Sequence, residues 1–408
     1  LILYEEALER IAKAVEPKGT ARVDLQAAYG RVLAERIATP TDLPPFDNSA
    51  MDGFAVKASD VESASKDQPV SLKCAGTIGA GDAGLVEVAP GVCVRIMTGA
   101  PVPPSADGVV PVEMTETEGD EIRFKAGLPP GRNVRPQGSE MKKGETLLEP
   151  GVRIGAAEWG LLATANASKA LVYSRPSVSL LMTGNELIEP GEPDRPGAIR
   201  NSNGYSMRAA ARGLGIEPEY LGVAGDSREE IEERIRGGCR SDVLITVGGV
   251  SAGDFDVVRD LLAGETLGFE EFFYKVRIRP GKPVRCGRIG NTLVFALPGN
   301  PVSCLVGFHL FAKPALRKML GLSSWENPVW RVILGGSIRS PAPFLNFWRA
   351  KLKLDGKEGL ATAVPFDQSS SGMLTTMLGA DGFVPVPVEA EGLRAGEIVD
   401  FLPIWNLD

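Results

Sequence analysis

Histidine is nearly missing from this sequence. His309 is the one example in 408 residues, and it sits in the apolar stretch CLVGFHLFAKPAL, which suits a core or capping place better than general-base catalysis. Cysteine is sparse as well. Cys74, Cys93, Cys239, Cys286 and Cys304 are scattered without a CxxC pair, which argues against the common zinc spacings and a disulfide framework and fits a reducing cytosol. No apolar run approaches the ~20 residues of a membrane span, and LILYEEALER carries acids where a secretory signal would be basic. The expectation is a cytoplasmic protein with no membrane association. Positive charge is not in excess either: 44 Lys and Arg stand against 52 Asp and Glu, a net charge of −8, so no broad nucleic-acid surface is expected. A GxSxG elbow and a P-loop are also absent. Chemistry must therefore come from metal, electrostatics and positioning.

What is present is organised around Ser241 to Asp260, SDVLITVGGVSAGDFDVVRD. Val243 to Val247 are β-formers in a row, too apolar for a strand with one wet face and right for the buried strand of a parallel sheet. The chain then breaks at Gly248, Gly249, Val250, Ser251, Ala252 and Gly253, and a helix is expected from Asp254 to Leu262, ended by Gly264. A Gly-rich turn between a strand and a helix start presents free N–H groups to an anion. Asp254 and Asp256 would repel that anion unless a cation lies between, and Mg2+ suits carboxylate oxygens. A helix merely capped by Asp suits this stretch equally well.

A chain of this length should divide into about two to four domains. Tyr4, Leu8, Ile11 and Val15 recur at helical spacing, and a short helix follows between a capping Asp24 and Gly30. From Phe46 to about Gly138 short Val-rich runs alternate with Gly, Pro and Asp, the texture of a small β-domain. Its polar loops PPFDNSAMDGFAV and Met97 to Pro101 read by themselves as turns. Met141 to Tyr173 reads as helix again, which makes the β-domain an insertion. Strands and helices then alternate to about Leu320, as in a doubly wound parallel sheet with ligands outside the carboxyl ends of its strands. From Ser324 the pattern is that of a small barrel or sandwich. The expected fold is thus an elongated helical domain (1–45 and 139–173), an inserted β-domain (46–138), a doubly wound α/β domain (174–323) and a C-terminal β-barrel (324–408).

The strand ends of the doubly wound part all deliver polar groups. They are Thr183-Gly184-Asn185-Glu186, Gly225-Asp226, the central loop with Gly248, Gly249, Ser251 and Asp256, and Leu297-Pro298-Gly299-Asn300-Pro301-Val302-Ser303. Asn300 as N-cap and Pro301 at the first helical position make a second oxyanion cradle, although capping alone explains both. Between the cradles, FYKVRIRPGKPVRCG brings Lys275, Arg277, Arg279 and Lys282 together, the first three on one face if strand alternation holds. Cations between two anion cradles and several acids point to an anionic substrate with a divalent ion.

In the motifs PPFDNSAMDGFAV, MTGAPVP, TGNEL, GGVSAGDFD, RPGKPV and LPGNPVS, in this order over nearly the whole chain, the sequence resembles the molybdopterin molybdenumtransferase family, the bacterial MoeA proteins and the E domain of gephyrin. The resemblance implies the four domains above, the third like the molybdopterin adenylyltransferases. It also implies an enzyme that takes adenylylated molybdopterin and molybdate and, with Mg2+, releases AMP and leaves molybdenum on the dithiolene. On the family pattern Glu186, Asp226 and Asp256 handle metal, water or phosphate. Lys275, Arg279, Lys282 and Ser371 bind oxyanions and the pterin phosphate, and the β-domain adds Asp52 and Thr98. The chain departs from the family in Arg279, where Lys is common, and in Glu140, where Asp is common. The resemblance further implies a homodimer with shared active sites and transient contact with the adenylyltransferase. The alternatives are that adenylyltransferase itself, against which the inserted domain and barrel argue, and a non-catalytic scaffold, which need not keep its acids.

Overall fold

The computed structural model describes all residues except 84–85, 251–255, 341–342, 355–358, 368–369 and 406–408. The chain forms two compact units. The larger comprises Leu1–Glu35, Pro150–Ala156 and Lys169–Asp408, and the smaller Arg36–Glu149 and Ala157–Ser168.

The smaller unit is built on a six-stranded sheet of Val70–Ile78, Val92–Ile96, Gly53–Val56, Gly108–Pro111, Glu121–Phe124 and Thr115–Glu118. These are the Val-rich runs of the sequence. Phe54 and Phe124 meet edge-to-face at 5.9 Å in its core. Gly53 is required where it stands, because a Cβ there would lie 2.1 Å from the Val110 carbonyl oxygen.

In the larger unit, α1 (Tyr4–Ala14) forms as its spacing predicts, with Ala7 and Ile11 buried. The segment expected as helix from Met141 to Tyr173 is helical only over Ala156–Thr164. Its last part, Lys169–Tyr173, is a strand paired antiparallel with Thr20–Asp24. Alternate burial in KALVY is the local reason, and the partner lies too far off in sequence to be read from the pattern.

The α/β part runs β1 (Val178–Thr183), α2 (Ser202–Arg212), β2 (Glu219–Ala224), α3 (Arg228–Gly238), β3 (Val243–Val247), α4 (Val257–Ala263), β4 (Phe269–Tyr274), β5 (Ile278–Arg279), β6 (Arg285–Ile289) and β7 (Thr292–Leu297). Ser227 caps α3 by accepting from the Glu230 N–H. The sheet order is β2-β1-β3-β7-β6-β4. Strands β2, β1, β3 and β7 are parallel, as expected, but β6 and β4 join antiparallel, so the sheet is mixed. All five residues of β3 are buried, the reason its sequence does not alternate.

After β7, α5 (Pro301–Gly307) continues through a π-turn at Phe308–Ala312 into α6 (Lys313–Met319). Pro314 has no N–H to give to a regular helical ladder there. The C-terminal strands β8 (Trp330–Leu334), β9 (Leu345–Lys353), β10 (Thr362–Pro365), β11 (Gly382–Val386) and β12 (Ile398–Pro403) close into a five-stranded barrel in the order β9-β10-β8-β12-β11, with β11 returning to β9. One apolar core joins barrel, α/β part and α1. Tyr4 sits edge-on to Phe311 at 5.8 Å and to Phe347 at 5.4 Å within it.

Candidate active site

The register of the sheet brings the polar loops together. Thr183 pairs with Ala224, Met182 with Val247, and Val247 with Leu297. Four strands therefore end at one level, and Glu186, Asp226, Gly248 and Gly299 leave the sheet along the same edge. Gly248 has a φ of 107°, and a Cβ on it would meet the Thr183 carbonyl oxygen at 2.5 Å. No side chain fits where two strand ends approach so closely. The neighbouring loop is in ordinary van der Waals contact, since a Cβ on Gly299 would lie 3.7 Å from the Gly248 Cα.

Above this edge lies a cleft of about 1130 Å³ lined by residues of the larger unit. Among the expected site residues it takes in Glu186, Asp226, Asp256, Gly248, Gly249, Arg279 and Lys282. It also takes in Pro298, Gly299, Asn300, Pro301, Ser303 and Ser371. Ser251 and Asp254 lie outside the described residues.

The acids are held differently from one another. Asp256 occupies the N-cap position of α4 but makes no capping hydrogen bond. Its carboxylate lies 3.9 Å from the Arg259 guanidinium. Helix α4 itself starts later than expected, at Val257. Asp226 and Asn185 face each other, the Asp226 N–H donating to Asn185 Oδ1 at 3.1 Å and the Asn185 N–H to Asp226 Oδ2 at 3.4 Å. Glu186 is exposed and folds over Gly184.

Among the described residues no three His, Cys, Asp or Glu side chains gather as a metal cage. Glu186, Asp226 and Asp256 therefore share the cleft without forming a three-ligand set. Their chemistry still fits Mg2+, which is ordinarily held by one or two carboxylates together with substrate phosphates and water.

Cations come from the segment between the cradles, but not as strand alternation predicts. Strand β4 ends at Tyr274, and Lys275 has a φ of 63°, so the alternation stops there. Lys275 does not line the cleft. Its ammonium lies 4.6 Å from the Tyr274 ring centroid instead. Arg277 donates to the Pro343 carbonyl at 2.7 Å. Of this segment Arg279 and Lys282 remain as cleft cations, beside Arg200 from another part of the chain, and β5, which carries Arg279, pairs with β9 of the barrel. The Lys282 ammonium lies 5.4 Å from the Phe344 ring centroid.

The barrel reaches the second cradle too. Asn300 is the N-cap residue of α5 with Pro301 first in the helix, yet its amide makes no capping bond. It donates to Ser371 Oγ at 3.2 Å, while the Val302 N–H donates to the Ser371 carbonyl at 3.1 Å. Arg349, only 2% exposed, reaches the neighbouring Ser370 carbonyl at 3.5 Å, and burial lowers its pKa. Asn201 and Asn203 at the start of α2 also line the cleft. Both were missed in the sequence, where the only signal is Asn201 one residue before a helix.

In the smaller unit Asp52 and Thr98 form a pair. Asp52 Oδ1 accepts from the Thr98 hydroxyl and from the Thr98 N–H, both at 2.7 Å. The hydroxyl bond and then the backbone bond hold the exposed Asp52 carboxyl below its ordinary pKa. The two polar loops are therefore matched to each other and do more than turn the chain. Glu140, also here, gives its N–H to the Leu43 carbonyl at 2.9 Å. His309 packs edge-on against Phe308 and Phe383, and its apolar surroundings, with Lys313 adding to them, lower its pKa to about 3. That is the core role expected of it.

Fold and cleft together define an α/β protein whose cleft, at the carboxyl edge of its sheet, is lined by both acids and cations. Residues 2–166 match the MoeA N-terminal region (domain I and II), residues 179–318 a probable molybdopterin binding domain, and residues 331–404 the MoeA C-terminal region (domain IV). The chain is 37% identical over 391 residues to molybdopterin molybdenumtransferase 2 of Mycobacterium tuberculosis H37Rv, covering 94% of each. It is 35% identical over 408 residues to the molybdopterin molybdenumtransferase of Bacillus subtilis 168, covering 99% of this chain and 94% of that one. It is also similar to the crystal structure of the molybdopterin biosynthesis moeA protein of Pyrococcus horikoshii OT3, with a TM-score of 0.83 at 30% identity over 99% of this chain and 100% of that one. The chain belongs to the molybdopterin molybdenumtransferase family and is a transferase of molybdenum cofactor biosynthesis.

Proposed function

We propose that this chain inserts molybdenum from molybdate into adenylylated molybdopterin, with Mg2+-dependent release of AMP. The observation that carries the reading is the presence, in the lining of one cleft, of Glu186, Asp226 and Asp256 together with Arg279 and Lys282. The substrate's dithiolene supplies the sulfur ligands for molybdenum, so the protein needs neither thiolate nor imidazole at the site. Its task is to gather two anions and direct water.

Mg2+ held by Asp256 with Asp226 or Glu186 would supply charge neutralisation at the phosphoanhydride. Arg279 and Lys282 bind molybdate and the pterin phosphate, and the Gly248–Gly249 and Gly299–Ser303 backbones receive phosphate oxygens. Water adds across the phosphoanhydride to give AMP and the pterin phosphate. One molybdate oxygen leaves as water with the two dithiol protons. Arg279 in place of Lys offers a planar fork where the family often has a point charge, so it can hold two oxyanion oxygens at once.

The reading includes a homodimer in which Asp52 and Thr98 of one chain serve the cleft of the other, transient contact with the adenylyltransferase that makes the substrate, and a cytoplasmic place. No helix among the described residues is long and apolar enough to cross a membrane. The test is incubation with adenylylated molybdopterin, Mg2+ and molybdate, following AMP and pterin-bound molybdenum. Both are expected to appear in step and to depend on Mg2+. Failure of either to form would overturn the reading.

A further inference from the structure

Beneath one wall of the cleft lies a polar cluster to which no role has been given. Glu189 Oε1 accepts from the Tyr220 hydroxyl at 2.6 Å and from Asn201 Nδ2 at 2.8 Å, and Oε2 accepts from the Tyr205 hydroxyl at 3.2 Å. The Arg208 guanidinium lies over both tyrosine rings, 5.7 and 5.5 Å from their centroids. Burial works to raise the pKa of Glu189, but the bonds from Tyr220, Asn201 and Tyr205 outweigh it and hold the carboxyl below its ordinary value.

The geometry has a direct consequence for Asn201, which is 1% exposed. With its Nδ2 directed to Glu189 and Tyr220, its Oδ1 is left to accept the Gly204 N–H at 3.0 Å and cap α2. An amide carries its donor and acceptor on opposite arms, so fixing one arm fixes the other. The first turn of α2 in turn sends Asn203 Nδ2 to the Gly299 carbonyl at 2.7 Å, and Gly299 leads directly into Asn300 and the first turn of α5, which carries Ser303. The same segment is tied to the cleft acid Glu186, whose carbonyl accepts the Ile199 N–H at 2.8 Å.

We propose that Glu189 is a positioning residue for the transfer reaction: its Oε1 orients Asn201, and through the start of α2 and Asn203 it sets the place of the Gly299–Ser303 cradle. The proposal rests on the activity proposed above. Glu189 itself touches no substrate. What matters is an acceptor at Oε1, not the charge.

Two variants separate these possibilities. E189L fills similar space with no acceptor, leaving the buried Asn201 NH2 without its carboxylate partner. E189Q keeps one oxygen that Asn201 and Tyr220 can share, and its amide N–H can donate to the Tyr205 oxygen. In E189L we expect the KM for adenylylated molybdopterin to rise on the order of tenfold with a smaller change in kcat. Amide exchange should also quicken in peptides spanning 201–206 and 298–304. In E189Q both readouts should stay within about twofold of wild type. A purely structural Glu189 would lower the melting temperature of E189L but leave kcat/KM of the folded enzyme unchanged, and that result would overturn the proposal. Equal impairment of E189Q and E189L would also overturn it. If the wild-type chain releases no AMP, the activity reading fails. Exchange at 298–304 then decides alone: faster exchange in E189L supports the coupling, and unchanged exchange refutes it.

Discussion

Asp256 stands at the N-cap of α4 without capping it, and Asn300 stands at the N-cap of α5 with its amide given to Ser371. In both places a residue type favoured for capping turns its side chain elsewhere, Asp256 toward Arg259 and Asn300 toward Ser371. Its side chain is 14% exposed and lines the cleft, so Asp256→Asn should keep the fold and lose the reaction. The expected loss in kcat/KM for AMP release is on the order of a hundredfold, with a melting temperature within about 2 °C of wild type. Parent-level AMP release at saturating Mg2+ would remove Asp256 from the site. Asp52 allows a second test. Its pKa is depressed first by the Thr98 hydroxyl and then by the Thr98 N–H. Stability from such a group is present above the ordinary carboxylate range and lost as pH falls through the depressed folded value. Thr98→Val removes the first bond and keeps the second, so the Asp52 pKa should rise toward, without reaching, its ordinary value. A carboxyl NMR titration of the two proteins reads this directly, and an unchanged midpoint would show that the hydroxyl is not what holds the charge.

At the scale of elements, the parts that local chemistry dictates were open to reading. The buried strand Val243–Val247, the capped helix Arg228–Gly238 and the Pro301 helix start each carry their signal within a few residues. What was hidden depends on distant partners. Strand β5 pairs with the barrel through Ile278 to Leu345 and Arg279 to Asn346, and nothing in RIRPGKPV announces a partner some seventy residues on. Lys275 was misplaced because a positive φ at a non-glycine residue has no sequence pattern. For the same reason the end of β4 and the start of β5 read as one strand, Phe272 to Ile278, since the break between them sits at that residue. The central turn allows a sharper test. Gly248→Ala would push a Cβ to 2.5 Å from the Thr183 carbonyl oxygen at a φ of 107°. Backbone on both sides cannot yield cheaply, so a loss of about 1–3 kcal/mol is expected. Denaturant unfolding measures it, and AMP release should fall with it because the edge of the sheet that carries Glu186 must shift. A variant as stable and as active as wild type would show that the turn tolerates a side chain.

For the whole molecule, the proposed function asks Asp52 and Thr98 of the smaller unit to serve a cleft whose described lining residues belong to the larger one. The proposed homodimer answers it by symmetry: a twofold axis places the pair from each chain at the cleft of the other and makes two equal sites. Mixing variants tests this without any assumption about distances. An Asp52→Ala chain and an Asp256→Ala chain are each expected to be inactive alone. After dissociation and reassociation, random pairing gives about half hybrid dimers, and in each hybrid one site carries both lesions and the other neither. With one intact site of two in half the dimers, AMP release should recover to about a quarter of the wild-type rate. Were each site built within one chain, every site in the mixture would keep one lesion, and mixing would restore nothing. Recovery must also track the fraction of hybrids measured by native mass spectrometry of differently tagged chains. No recovery in a sample with abundant hybrids would place each site within a single chain and end the shared-site proposal.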